Sequence, residues 1–128
     1  MIRKLLNTDR NKIEKILFDT NNFNPEEIKI AMELVDVYIN DPAQKDYEIF
    51  VDEAENKDIN GYVCVGPRPL TTGTYDLYWI AVNPNVQSKG IGSKLIDYIE
   101  NYLKDQSVRL ILIETSGKPS YEKERKFY

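Results

Sequence analysis

The chain has 128 residues, of which 41% are apolar and 30% charged, and this composition fits one soluble domain with a single core. With 17 Lys and Arg against 21 Asp and Glu, the net charge of -4 argues against the positive surface that nucleic-acid binding needs. The single cysteine and the absence of histidine exclude an internal disulfide, a catalytic centre built on histidine and a histidine-ligated zinc site. Neither a signal peptide nor a membrane span is visible, so we expect a cytoplasmic protein.

The first third of the chain predicts a short strand followed by two helices. Ile2, Leu5 and Leu6 suit a strand, and apolar residues at helical spacing follow them, namely Ile13, Ile16 and Leu17. The second helix has a clear start, because Asn24 can cap it, Pro25 suits its first position and Glu27 completes a capping box. Asn40-Asp41-Pro42 should end it.

The remainder alternates strands and helices. Residues 47–52, 59–65 and 74–82 predict three strands, and 108–113 predicts a strand buried on both faces. An amphipathic helix should begin at Gly90, and Lys118-Pro119-Ser120 should open a last helix. The predicted order is β-α-α-β-β-β-α-β-α, a mixed sheet with helices on both faces.

The stretch from Tyr75 to Leu95 places a glycine-containing turn between an apolar strand and an amphipathic helix. The first amides of a helix have no acceptor within the helix, and the helix dipole makes that end positive. Residues 87–93 therefore predict an anion site suited to a pyrophosphate, although an ordinary turn would use the same residues. A P-loop is excluded, because its Gly-Lys-Ser/Thr ending is absent, and a Rossmann fingerprint lacks its third glycine.

Val82-Asn83-Pro84 followed by Gln87-Ser88-Lys89-Gly90-Ile91-Gly92 resembles the acetyl-CoA motif of the GNAT N-acetyltransferase family, Gln/Arg-x-x-Gly-x-Gly/Ala. Residues 121–128, Tyr-Glu-Lys-Glu-Arg-Lys-Phe-Tyr, resemble the family's next motif, whose helix carries a Phe/Leu-Tyr pair. The resemblance implies a GNAT-like α/β fold, with residues 1–128 forming one acetyltransferase domain. It also implies acetyl-CoA as co-substrate, an amine acceptor and no metal.

In this family acetyl-CoA lies where two parallel strands separate, which here would be the strands ending near Val82 and Thr115. The resemblance implies that main-chain groups of Ile80 and Val82 bind the thioester carbonyl and the pantetheine. Amides of the motif would bind the pyrophosphate, and Lys89 and Lys94 would either add charge nearby or be ordinary solvated surface lysines. The amides concerned are those of Gln87, Ser88, Lys89, Gly90, Ile91, Gly92 and Ser93.

The reaction implied by the resemblance is direct acyl transfer to an amine, without a covalent enzyme intermediate. Asp76 occupies the strand position where some members carry a carboxylate base; it could equally anchor a substrate ammonium or be an ordinary strand residue. Glu114 is a second carboxylate at a strand end. Tyr128 corresponds to the family tyrosine that can protonate the leaving thiolate, a transfer that a phenol can make.

Two departures from the family pattern stand at the end of the chain. Tyr121 replaces an asparagine that is common in the family's last helix, and the two strands that close the sheet in other members are missing. We therefore expect a C-terminally truncated domain whose open sheet edge could form a homo-oligomer. The predicted function is N-acetylation of a small-molecule or protein amine; the alternative is a truncated domain that binds CoA or a partner chain with little or no catalysis.

Overall fold

The chain forms a mixed sheet with helices on both faces, as the sequence predicts, but the sheet has six strands where the sequence predicts five. The structure is a computed structural model that describes residues 1–44, 46–67, 73–104, 110–114 and 122–126, with only the backbone described for 87–89, 110–114 and 122–126. Two short 3-10 turns also occur, Asn7–Asp9 and Pro84–Lys89. The elements are β1 Ile2–Lys4, α1 Arg10–Asp19, α2 Pro25–Asn40, β2 Glu48–Glu53, β3 Ile59–Pro67, β4 Thr74–Val82, α3 Ile91–Lys104, β5 Leu110–Glu114 and β6 Glu122–Lys126.

The strands lie in the sheet in the order in which they occur in the chain, from β1 to β6. Neighbouring strands are antiparallel except β4 and β5, which are parallel. A parallel pair needs a crossover, and α3 supplies it. This parallel pair lies in the interior of a sheet whose other strand pairs are all antiparallel.

The two faces of the sheet carry different helices. Helices α1 and α2 cover one face with buried side chains that include Ile13, Leu17 and Val35. Helix α3 covers the other face with Leu95 and Ile99, because apolar residues recur at helical spacing along it. Within the described part of the chain, no helix is both long and apolar enough to cross a membrane.

The predicted start of α2 is confirmed. The Asn24 side chain accepts a hydrogen bond from the Glu27 amide at 2.8 Å, and the Glu27 carboxylate accepts one from the Asn24 amide at 2.9 Å. Pro25 occupies the first helical position, where an N–H would have no acceptor within the helix, so its absence costs no hydrogen bond. The helix also ends as expected, at Asn40.

The last described element is a strand, so the final helix expected to open at Lys118-Pro119-Ser120 is wrong. Residues 122–126 pair antiparallel with β5 along its whole length. Charged residues of this kind have good helix propensity, but the otherwise unpaired edge of β5 gains a full ladder of hydrogen bonds from a strand. An outer strand made only of Glu, Lys and Arg also opposes edge-to-edge association, so it disfavours the homo-oligomer expected through this edge.

Candidate functional site

Strands β4 and β5 separate after four paired residues each. Their pairing runs from Thr74 with Leu110 to Leu77 with Ile113, after which β4 continues to Val82. Among the described residues, no strand pairs with the last five residues of β4 on that side. A β-bulge lies at the same place, because Cys64 of β3 is opposite Trp79 while Val65 is opposite Leu77. Bulges increase local twist and redirect side chains, so the bulge and the separation together open a cleft in the sheet.

The main-chain groups of Ile80 and Val82 face this cleft. The Asn83 amide donates to the Asn60 carbonyl of β3 at 2.7 Å, which fixes the phase of the β3–β4 ladder. In an antiparallel ladder, alternate residues direct both their N–H and C=O groups to the same neighbour. Asn83 and Ala81 therefore point to β3, and Ile80 and Val82 point to the open side, where acyl-group binding was expected.

The turn after β4 leads directly to the first turn of α3. The Asn83 side chain accepts from the Asn85 amide at 3.0 Å and begins the 3-10 turn over residues 84–89. Gly90 ends it with φ 65°, a left-handed conformation that glycine adopts without strain. The Lys94 amide donates to the Gly90 carbonyl at 3.1 Å as the first α-helical bond, so the three preceding amides have no acceptor within the helix. These amides belong to Ile91, Gly92 and Ser93.

The surroundings of Gly90 and Gly92 leave room for a ligand. Among the described residues other than its two chain neighbours, no heavy atom lies within 4 Å of where a Cβ on Gly90 would be. A Cβ on Gly92 would meet only Val82 Cγ2, at an ordinary 3.7 Å. Packing of the described residues therefore requires neither glycine. The left-handed φ accounts for Gly90, and a closely approaching phosphate would account for Gly92. The side chains of Gln87, Ser88 and Lys89 lie outside the described part.

Gly61 of β3 sets how closely α3 approaches the sheet. A Cβ there would be 2.9 Å from the Ala81 carbonyl oxygen and 3.2 Å from Ile91 Cγ2. Only glycine permits this spacing without a shift of β4 or of the first turn of α3. The amides that start α3 are thus held beside the end of β4.

A buried carboxylate that is not part of the family motif lies near the first turn of α3. Asp52 is fully buried and accepts hydrogen bonds from Asn60 Nδ2 at 3.1 Å and from the Met1 ammonium at 3.2 Å. Lys94 Nζ, expected near the pyrophosphate, lies 3.7 Å from Asp52 Oδ2. Burial acts to raise the pKa of Asp52, but these hydrogen bonds and charges outweigh it and hold the pKa below its usual value. The sequence does contain a signal for the burial of Asp52. Asp52 follows the apolar Phe50 by two residues in the same strand, so both side chains lie on one face of the sheet.

We expect the stability contributed by Asp52 to depend on pH. Its pKa is lower in the folded than in the unfolded chain, so the contribution is complete above the unfolded value of about 3.9 and is lost as the pH falls through the folded pKa. Asp52→Asn should cost about 1–3 kcal/mol at pH 7 and less at pH 3. Urea unfolding at both pH values measures this, with exposed Asp58→Asn as control. An equal loss at both pH values would contradict the assignment.

Asp76 lies on the α1–α2 face of β4, since its neighbours Tyr75 and Leu77 pack with α3. It is half-buried, opposite Gly66 of β3 and two residues before Tyr78. Burial, followed by the charge of Asp76, raises the pKa of the Tyr78 phenol, which places the two groups near each other. Glu114 ends β5 opposite Glu122. Thr115, Tyr121 and Tyr128 lie outside the described residues.

Aromatic side chains follow Asp76 along β4 on the same face of the sheet. Trp79 packs edge to face against Phe23 of the α1–α2 connection, with ring centroids 5.2 Å apart. Tyr78 packs similarly on Tyr47 at 6.3 Å. Tyr78 and Trp79 are both half-buried against the core residues that α1 and α2 contribute. The bulge explains this, since it turns two successive residues to one face.

The comparisons with known proteins agree with this geometry. The profile of the acetyltransferase (GNAT) family matches residues 12–128. A crystal structure described as a GNAT-family acetyltransferase from Desulfovibrio desulfuricans is 37% identical, with a TM-score of 0.83 over 93% of this chain and 75% of that chain. No curated protein matches the sequence.

Two more distant structures share the fold. A GNAT-family acetyltransferase from Brucella melitensis, in complex with acetyl-CoA, is 22% identical, with a TM-score of 0.76 over 100% of this chain and 88% of that one. The PaiA N-acetyltransferase from Thermoplasma acidophilum, in complex with coenzyme A, is 14% identical, with a TM-score of 0.76 over 99% and 98%. The family and the fold support acyl transfer in general, and this chain belongs to the GNAT acetyltransferase family.

Proposed function

We propose that the chain, with residues 1–128 as one domain, is an acetyl-CoA-dependent N-acetyltransferase acting on an amine of a small molecule or protein. The observation that carries this proposal is the cleft between β4 and β5, with the open main-chain groups of β4 beside the first amides of α3. A GNAT-family neighbour from Brucella melitensis was solved with acetyl-CoA, which supports the choice of co-substrate. We also propose a cytoplasmic location.

The described residues fit acetyl-CoA at two points. Amides of Ile91, Gly92 and Ser93 would donate to the pyrophosphate, and the positive end of the helix dipole would favour its charge. Backbone amides of residues 87–90 would extend this binding. N–H groups of Ile80 and Val82 would donate to the thioester carbonyl and to the pantetheine, and such donors stabilise negative charge that develops on the oxygen.

Acetyl-CoA, when bound, supplies the acetyl group as a thioester that a neutral amine can attack. Asp76 would take a proton from the acceptor ammonium. Four residues of strand separate it from Ile80, about 13 Å along the chain at the usual rise, so it would act through water or hold the ammonium directly. Tyr128 would donate a proton to the leaving thiolate.

Asp76→Asn tests the catalytic part of this proposal. A lost general base should lower kcat by about 10²–10⁴-fold, while acetyl-CoA affinity stays the same. Thiol release from acetyl-CoA, measured over a panel of primary amines, gives kcat and its pH profile.

Asp58→Asn is the matched control, because it removes the same charge from an exposed turn. A raised KM with unchanged kcat would assign Asp76 as an ammonium anchor instead of a base. Absence of transfer to every amine, together with intact acetyl-CoA binding, would contradict the proposed catalysis and leave a CoA-binding domain.

A further inference from the structure

A cavity of about 300 Å³ opens between the sheet and the last turn of α3. It lies at the end of β4 opposite to the acetyl-CoA cleft. Its walls combine three tyrosines, one carboxylate and apolar side chains: Tyr47, Tyr75, Tyr102, Glu48, Val65, Leu103 and Pro67. Tyr75 and Ile80 are five strand residues apart, about 16 Å, so a small molecule here would not reach the proposed transfer centre.

Glu48 is the one acidic residue among the described residues that line this cavity. Its two contacts within the described chain use the same oxygen: the Tyr38 hydroxyl donates to Oε2 at 3.2 Å, and Lys4 Nζ lies 3.5 Å from Oε2. Both partners approach from a neighbouring cavity that they also line. Oε1 therefore remains able to accept from a donor in the 300 Å³ cavity.

Two of the tyrosine rings in the cavity wall are held in place by other contacts. The Tyr47 hydroxyl donates to the Leu34 carbonyl at 2.7 Å, and the Tyr102 ring packs edge to face on Phe50 at 5.1 Å. Aromatic faces attract organic cations, and a carboxylate beside them adds a charge-assisted hydrogen bond. Val65 and Leu103 offer apolar surface to the rest of such a ligand.

We propose that this cavity binds a small arylalkylamine, with its ammonium on Glu48 Oε1 and its ring among the tyrosines and aliphatic side chains. The site is separate from the acetyl-CoA cleft and does not depend on the proposed acetyl transfer. A neutral aromatic molecule of the same size would contact the apolar walls but could not form the charge-assisted hydrogen bond with the Glu48 carboxylate.

Tyramine, titrated by calorimetry into the protein without acetyl-CoA, tests this site. We expect one binding event, weakened about tenfold or more by Glu48→Gln, because the substitution keeps the shape and removes the charge-assisted bond. The neutral analogue p-cresol should bind more weakly than tyramine to the unsubstituted protein and equally to both proteins.

Two further variants locate the binding. Glu33→Gln removes an exposed charge from α2 and should leave the affinity for tyramine unchanged. Tyr102→Leu should weaken binding by removing an aromatic wall. No binding at millimolar tyramine, equal affinity in Glu48→Gln, or a loss in Asp76→Asn alone would overturn the proposal.

Discussion

Gly92→Glu should abolish measurable acetyl-CoA binding while making the protein slightly more stable. At this position the added carboxylate is unfavourable for ligand binding but favourable for the stability of the fold. A carboxylate in the first turn of a helix interacts favourably with the dipole, by about 0.3–1 kcal/mol. The same carboxylate would lie where the pyrophosphate must approach the amides of Ile91, Gly92 and Ser93, so charge and bulk both oppose the ligand.

Gly92→Gln and Gly92→Ala separate these contributions. Glutamine has the shape of glutamate without its charge, and the Cβ of alanine fits beside Val82 at 3.7 Å. We expect affinity to fall from glycine to alanine to glutamine to glutamate. Calorimetry gives the affinities and thermal unfolding the stabilities; Gly92→Glu with normal affinity would remove the pyrophosphate from this turn.

Gly66→Ala should destabilise the protein by roughly 3 kcal/mol, at the upper end of what overpacking costs. A Cβ at Gly66 would overlap the main-chain carbonyl oxygen of Asp46 and come within 3.0 Å of Tyr47 Cβ and Tyr78 Cε2. A backbone oxygen cannot move aside as a side chain can, so the start of β2 or the end of β3 must shift.

Gly92→Ala is the matched control for stability, since there the same added methyl group has room and glycine is a poor helix former. It should be neutral or slightly stabilising. Urea denaturation of the two variants measures the difference. Equal stability of both would show that the contact between β2 and β3 at Gly66 is looser than described.

The parts of the fold that follow from local pattern were predictable. The bounds of β4 follow from its aromatic and β-branched run, and those of α2 from Asn24, Pro25 and the apolar spacing. The turn from Val82 to Gly92 lies where the family motif placed it. Its role in binding stays a prediction, because no ligand contact has been measured.

The rest depends on register and on distant contacts, which the local pattern does not contain. The bulge at Tyr78 exists only relative to β3, and the partners of Asp52 come from residues far along the chain. Strand β6 was expected to be helical because its own residues allow a helix, and the unpaired edge of β5 decided otherwise. Likewise, Glu48 lines a cavity only because the fold brings β2 close to the end of α3, which is distant in the sequence.

The short parallel pairing of β4 with β5 has a kinetic consequence. The antiparallel pairs formed by β2, β3 and β4 join strands that are neighbours in sequence. The parallel pair of Thr74 and Leu110, in contrast, joins residues separated in sequence by the whole of α3. Contacts of greater sequence separation carry a larger loop-closure entropy and form late in folding. The cleft proposed to bind acetyl-CoA thus lies between β4 and β5, at the strand pairing that we expect to form last.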